Sequence, residues 1–400
     1  MSFRISNILD YDYFIALDIG AFKIKALACK IDWQELKIVW NASLRQNKKD
    51  MLNWEITDIS SISRSIQKCI AKACQWLDSI PSDILVLYNS SELIYDFTSV
   101  NYIRKNHESE ITMSEIDDMI EDVEVRSLDK IKSKTESRLW IIEAEMKLIT
   151  TSITWIYVDS QRISNPVWFI GKNVKFNIIN IYSPSSRFLI VKNIIRDIEM
   201  NLISIVPLPV CLPKLTEEKA YYFDQNLYVD IWYSKITVIL QNNSEIIWFN
   251  VLNFWYATLE EELRKISGKS YLDIENLLSN LDQNYEENKA IIDEVYEFFF
   301  ESIQVAIRDA DKTFLIKNIL LSWAWVNNTL KEQIKKYFEK NHLGTAIDVI
   351  SSYADEESLF WNNAWSMTQV LSLARAGKEL MAIKKDPLVR ILRYVIYKYE

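Results

Sequence analysis

The sequence predicts an α/β protein of two domains with a mixed helix-and-strand region over 83–168, and three observations point to the two domains. The chain has 400 residues, more than one hydrophobic core usually holds. A strand–turn–strand–turn–strand pattern occurs twice, over 14–40 and again over 227–248. Within it, Asp18-Ile19-x-x-x-Lys23-Ile24 and Asp230-Ile231-x-x-x-Lys235-Ile236 align without a gap, which reads as duplication of one architectural unit.

Residues 13–30 (YFIALDIGAFKIKALACK) alternate as two strands around a tight turn at Gly20 and Ala21. Asp32-Trp33-Gln34 then turns the chain into a third strand over 36–40. Over 58–78, Ile59, Ile62, Ile66, Cys69, Ile70 and Ala73 share one helical face, and Asp58 suits the N-cap. A mixed region follows over 83–168: a strand at 84–88, a helix opened by the capping pattern Thr112-x-x-Glu115, and strand-like segments at 139–148 and 153–158. Residues 174–182 read as a strand and 185–202 as a helix. After the second strand unit, helices fill 257–311 and a short strand occupies 319–321. From 329 onward the pattern is helical, with a break near 344–352.

Composition narrows the function. The chain is 49% apolar and 25% charged, ordinary for a globular protein, and its net charge of −9 disfavours nucleic acid as a partner. No apolar run reaches the length of a spanning helix, and the N-terminus lacks a signal-like pattern, so a cytoplasmic location is expected. Cys29, Cys69, Cys74 and Cys211 have no metal-type spacing and read as buried thiols. His107 and His342 are isolated, so neither a histidine triad nor a histidine metal site can be assembled. The acidic run 117–124 reads as a solvated helix face.

The chemistry concentrates at the two Asp-bearing turns. A strand ending in Asp and bending sharply presents backbone N–H groups that cradle a phosphate when the turn residues are small. The carboxylate is placed to hold a hydrated Mg²⁺. A single such turn reads as a hairpin cap; a matched pair reads as a clamp on one nucleotide between two domains.

The residues in these turns carry a resemblance. ALDIGAFKIKAL (16–27) resembles the first phosphate loop of the actin-like ATPase superfamily, VDIWYSKITVIL (229–240) the second, and LLSWAWVNNTL (320–330) the adenosine loop. Residues 157–184 resemble the segment of the FtsA family that leaves the inserted subdomain. NNAWSMTQVLSLA (362–374) resembles its helix that packs back on the first domain. The likeness implies a two-domain actin-like fold, a duplicated ribonuclease-H-like unit, with ATP and Mg²⁺ in the central cleft.

By this resemblance the first domain covers 1–82 and resumes at 169–203 and 356–383. The inserted α+β subdomain is 83–168, the second domain 204–355 with a helical nucleotide-binding subdomain, and the tail 384–400. The implied nucleotide residues are Asp18, Gly20, Ala21, Phe22 and Lys23 in the first loop, and Asp230, Trp232, Tyr233, Ser234 and Lys235 in the second. Ser322, Trp323, Ala324 and Trp325 form the adenosine loop, Glu275 contacts adenine, and Asp18 and Asp230 hold the metal. The second loop lacks the family's Asp and is one residue shorter, which implies weak or no hydrolysis.

Two counts are abnormal. Glycine numbers 5 and tryptophan 14, whereas an ordinary glycine usage of about 7% would give roughly 28. Tryptophan stands where the family has glycine, at 168, 232, 323, 325 and 365, and where local turns ask for glycine, at 33 and 54. Most of these codons are therefore read as UGA, decoded as glycine in the native cell. Replacing all fourteen would bring the glycine count from 5 to 19. The alternative is a set of true aromatic residues.

The tail LVRILRYVIYKYE (388–400) follows Pro387, a good helix start. Leu388, Ile391, Leu392, Val395, Ile396 and Tyr399 form one apolar stripe, with Arg390, Arg393 and Lys398 flanking or opposing it. Seven Lys or Arg and three acids follow from Arg375 onward, a local charge of +4. Such a helix either docks on the protein's own core or lies in an anionic membrane surface; the FtsA resemblance implies the latter. It further implies a protein peripheral to the inner membrane face at the division site. There it would bind the FtsZ C-terminal peptide and polymerise with itself. PilM, the actin-like component of type IV pilus machinery, is the alternative, and it lacks such a tail.

Overall fold

The computed structural model describes residues 13–32, 35–47, 50–52, 55–116, 118–120, 122, 127, 131, 145–163, 165–219, 222, 224–232, 235–253, 256–310, 316–323, 328–340, 346–350 and 367–382. The tail, with Leu388, Ile391, Leu392, Val395 and Ile396, lies outside them, as do Tyr233, Ser234, Ala324 and Trp325.

Two five-stranded sheets share one plan. The first is built from β1 (Tyr13–Ile19), β2 (Lys23–Asp32), β3 (Glu35–Arg45), β6 (Asp83–Tyr88) and β11 (Asn201–Pro207), in the order β11-β6-β1-β2-β3. A short hairpin, β4 (Met51–Leu52) and β5 (Glu55–Ile56), stands beside it. The second sheet contains β12 (Gln225–Ile231), β13 (Ile236–Asn242), β14 (Glu245–Leu252), β15 (Asn318–Trp323) and β16 (Ala346–Val349), in the order β14-β13-β12-β15-β16. In each, three antiparallel strands continue into two parallel ones. Even the register repeats: Asp18 faces Lys25 and Ile19 faces Ile24, as Asp230 faces Thr237 and Ile231 faces Ile236. The duplication expected from the sequence is therefore present in the hydrogen-bond ladder.

Strand composition follows burial. Phe14, Ile15, Ala16 and Leu17 are all fully buried, so β1 is apolar without alternation, as a strand covered on both faces must be. In β12 alternation sorts side chains between two cores, with Tyr228 in one and Leu227 and Val229 in the other.

Helix α1 (Ile59–Ala73) buries the predicted stripe of Ile62, Ile66, Cys69, Ile70 and Ala73, and Asp58 caps it by accepting from the Ser61 N–H at 2.8 Å. Helix α2 (Ser185–Asp197) packs on α1. The second sheet carries α3 (Tyr256–Ser267), α4 (Tyr271–Ser279), α5 (Leu281–Ala310) and α6 (Asn328–Lys340). Helix α7 (Thr368–Ala382) returns to the first sheet. A side chain at Gly377 would meet Leu85 Cδ1 at 2.6 Å and Phe14 at 2.7 Å, so glycine permits this close approach.

A third sheet, β7-β10-β8-β9, joins β7 (Ile94–Ile103), β8 (Met146–Val158), β9 (Gln161–Ile163) and β10 (Asn173–Pro184). The strand expected at 174–182 belongs here, so this sheet reaches past residue 168 to Pro184. Its helix opens as expected, with the Glu115 N–H donating to Thr112 Oγ1 at 3.3 Å. Tyr95 of β7 lies against Phe249 of β14, ring centroids 4.2 Å apart.

Two expectations are corrected. The helix expected over 185–202 stops at Asp197, and Asn201–Pro207 forms an edge strand beside β6. Helical spacing of Ile195, Ile198 and Leu202 extended the pattern across a break at Glu199, whose φ of 59° ends the helix. The break expected near 344–352 contains strand β16, too short to announce itself by periodicity.

Candidate functional site

The two Asp turns have the same backbone hydrogen bond. The Gly20 N–H donates to Lys23 O at 3.2 Å, and the Trp232 N–H donates to Lys235 O at 2.8 Å. Trp232 is thus the structural counterpart of Gly20. At Gly20 a Cβ would meet Lys23 O at 2.7 Å, which is why the first turn requires glycine. The Gly20 carbonyl accepts from Gln46 Nε2 at 2.8 Å, fixing the turn against the start of the next segment.

The strand ends then bring their charged groups together across one cleft. Asp18, buried at the end of β1, accepts from Lys25 Nζ at 2.8 Å. The same ammonium sits 3.5 Å from the centre of the Trp232 indole, a cation–π contact. Trp232 Nε1 donates to Asp230 Oδ1 at 2.8 Å, and Gln369 Nε2 of α7 donates to Asp230 Oδ2 at 2.5 Å. A continuous chain of contacts therefore runs Asp18–Lys25–Trp232–Asp230–Gln369.

Burial sets the electrostatics. Desolvation raises the Asp230 pKa from its ordinary 3.8 to about 6, against the lowering effects of the hydrogen bonds from Gln369 and Trp232 and of the Lys25 charge. The folded state therefore holds more protons on Asp230 than the unfolded chain between these values. Stability falls as pH rises through that window, and the loss is complete above about 6. Asp230 is a strained anion that a bound cation would relieve.

The other predicted residues are placed as follows. Ala21 and Phe22 complete the first turn, and Lys23 Nζ lies 5.7 Å from the Phe22 ring centre. Lys235 Nζ donates to Asn89 O at 2.9 Å. Ser322 pairs with Asp230 across β12 and β15, Trp323 ends β15, and Glu275 lies in α4. Sequence reasoning missed Lys25 and Gln369. The signal for Lys25 was present, since a lysine inside a doubly covered apolar strand demands a buried partner.

As they stand, these residues do not fit a triphosphate between the loops, because the indole fills the space between Lys25 and Asp230. Among the described residues no group of three His, Cys, Asp or Glu side chains is placed to hold a metal ion. Two carboxylates, Asp18 and Asp230, face the cleft, a number that suits a hydrated Mg²⁺ carried by a nucleotide rather than a protein-enclosed one.

A second tryptophan is out of place. Trp168 has φ 73° and is 75% exposed, a left-handed conformation that disfavours any side chain with a Cβ. Trp168→Gly is expected to stabilise the fold by about 1 kcal/mol, read as a higher denaturant midpoint at unchanged slope. An unchanged or lower midpoint would show that the indole is accommodated. Trp40 and Trp76, by contrast, make an edge-to-face pair with centroids 6.0 Å apart.

Neither a protein-family model nor a curated protein matches the sequence. Solved structures do resemble the fold. The PilM protein of the PilM–PilN type IV pilus biogenesis complex is 10% identical, with 91% of this chain and 98% of that one covered at a TM-score of 0.65. MreB 5 of Spiroplasma citri bound to AMPPNP is 10% identical over 94% and 98% at 0.52. The ethanolamine utilization protein EutJ from Carboxydothermus hydrogenoformans is 9% identical over 91% and 88% at 0.51. The chain has the actin-like ATPase fold.

Proposed function

We propose that the native protein is an FtsA-like cell-division protein that binds ATP with Mg²⁺ in this cleft, self-polymerises and tethers FtsZ filaments to the inner membrane face. The observation that carries the nucleotide reading is the repeated turn: two Asp-ended strands with the same register and the same N–H to C=O closure, converging on Lys25. The MreB relative is described with AMPPNP bound, which supports the same ligand class here.

The reading includes glycine, decoded from UGA, at most of the tryptophan positions. Position 232 is the counterpart of Gly20, and position 168 has a glycine backbone conformation. With glycine at 232, Lys25 faces the space where a phosphate would sit and Asp18 and Asp230 flank its cation. On this reading Gly20, Ala21, Phe22 and Lys23 with Trp232, Tyr233, Ser234 and Lys235 supply the loop backbones. Ser322, Trp323, Ala324 and Trp325 border the adenosine, and Glu275 the base.

The membrane role rests on the basic apolar stripe of 384–400. Among the described residues no helix is long and apolar enough to cross a bilayer. A second reading, a PilM-like component of type IV pilus assembly, is favoured by the TM-score of 0.65. One experiment separates the two. The chain should sediment with anionic liposomes and bind the FtsZ C-terminal peptide, and deletion of 384–400 should abolish sedimentation while sparing peptide binding. Unchanged sedimentation after the deletion would overturn the membrane anchor. Binding of a PilN-type peptide in place of the FtsZ peptide would select the pilus reading.

A further inference from the structure

A cavity of about 250 Å³ lies beside the second loop but is lined by none of Asp18, Asp230 or Trp232. Its apolar floor includes Met51 and Ile56 of the β4–β5 hairpin and Ile190 and Val191 of α2. Its polar rim has two cations. Arg187, in the first turn of α2, donates from Nε to Glu92 at 3.0 Å, and Lys235 donates to Asn89 O at 2.9 Å. With Glu92 the one carboxylate among the lining residues, the rim has an excess of positive charge while Lys235 is protonated.

The cavity also spans the two halves of the molecule. Lys235 and Asn253 come from the second sheet's segment, and Asn253 Nδ2 donates to Ser91 Oγ at 2.6 Å across the junction. We propose that this cavity binds a small amphipathic anion, a carboxylate or phosphate head on a short alkyl chain. The head would sit between Arg187 and Lys235 and the chain on Ile190 and Val191. The cavity borders the nucleotide loops through Ile19 and Lys235 but is lined by neither Asp carboxylate, and its ligand would tie the two halves together.

Burial supports the choice of an anion. Desolvation lowers the Lys235 pKa from 10.5 to about 7; Glu92 opposes the fall and Arg187 adds to it. An anionic head supplies the compensation that burial removed, so binding takes up a proton above pH 7. Affinity therefore declines as pH rises through about 7, where Lys235 loses its charge. The titratable groups facing it are Glu92 and Arg187, with Tyr88 at the end of β6, whose own pKa burial pushes up.

The test uses the full chain without nucleotide, so it is blind to whether ATP binds. Calorimetric titration compares hexanoate, hexyl phosphate, inorganic phosphate and hexylamine on either side of pH 7. One or both hexyl anions should bind, more weakly at the higher pH, and the better of the two identifies the head group. Hexylamine should not bind, and inorganic phosphate should bind at least about tenfold more weakly than the hexyl anions. Arg187→Ala and the cavity-filling Ile190→Phe should each weaken binding by about tenfold or more, with thermal melts confirming a folded chain. Glu92→Gln, which removes the competitor for Arg187, should bind at least as tightly as the parent. No binding by either hexyl anion, equal binding of hexylamine, inorganic phosphate matching the hexyl anions, or affinity unaffected by Ile190→Phe in a folded variant would each overturn the proposal.

Discussion

Glycine at 232, 323 and 325 is expected to raise the affinity for Mg·ATP by at least about a hundredfold over the chain carrying tryptophan, close to 2.7 kcal/mol. The main contribution comes from position 232. Its indole lies between the Lys25 ammonium, 3.5 Å away, and the Asp230 carboxylate, which accepts its N–H at 2.8 Å. A triphosphate entering the cleft must break both contacts and displace the half-buried ring. Removing the ring opens the space and leaves Lys25 and Asp230 for the phosphates and their cation.

Fluorescence anisotropy of a labelled ATP analogue, with unlabelled ATP as competitor, measures the difference. Equal affinities would mean either that the loops do not meet the phosphates or that the indole swings clear at little cost. The recoding itself has an independent check, since protein purified from its native cell should be lighter than the fourteen-tryptophan mass by the indole side chains replaced. A mass matching fourteen tryptophans would end that reading while leaving the affinity experiment valid.

The sequence made the duplicated unit legible because both its signals are local. Strands covered on both faces are runs of apolar residues, and each run here ends at an Asp-Ile pair, so the two copies could be aligned by eye. The residues that complete the site were harder to see. Gln369 lies 139 positions from the Asp230 it bonds, and a buried glutamine in a helix signals a partner without naming one. Lys235 looked equivalent to Lys23 in the alignment, yet its side chain bonds Asn89 at the wall of another cavity. Register fixes where a backbone goes, while the direction of a long side chain depends on which buried acceptor it can reach. Strand β11 was hidden for a different reason. Its apolar residues continue the helical spacing of α2, and only the left-handed Glu199 separates them.

Loss of Asp18 should be among the costliest single changes in the molecule. Its side chain is 5% exposed and that of Lys25 is 2% exposed, and they meet at 2.8 Å. Asp18→Ala leaves a buried ammonium against an indole face without its hydrogen-bonded carboxylate, and breaking a pair this deep costs about 3–5 kcal/mol. For a chain of ordinary stability, about 5–15 kcal/mol, that is a large share of the whole. Urea titration should show a lower midpoint with an unchanged slope. Asp18→Leu combined with Lys25→Met, which removes both charges at similar volume, should recover most of the loss, because the penalty lies in the unpaired charge and not in missing attraction. The two variants part company in stability and not in nucleotide binding. In the chain with glycine at 232 neither set of substitutions should allow nucleotide binding, since one lacks the carboxylate for the cation and the other lacks the ammonium as well, yet the double variant should be nearly as stable as its parent. A small cost for Asp18→Ala, under about 1 kcal/mol, would place the pair among solvent-exposed salt bridges and contradict the burial on which the cleft's electrostatics depend.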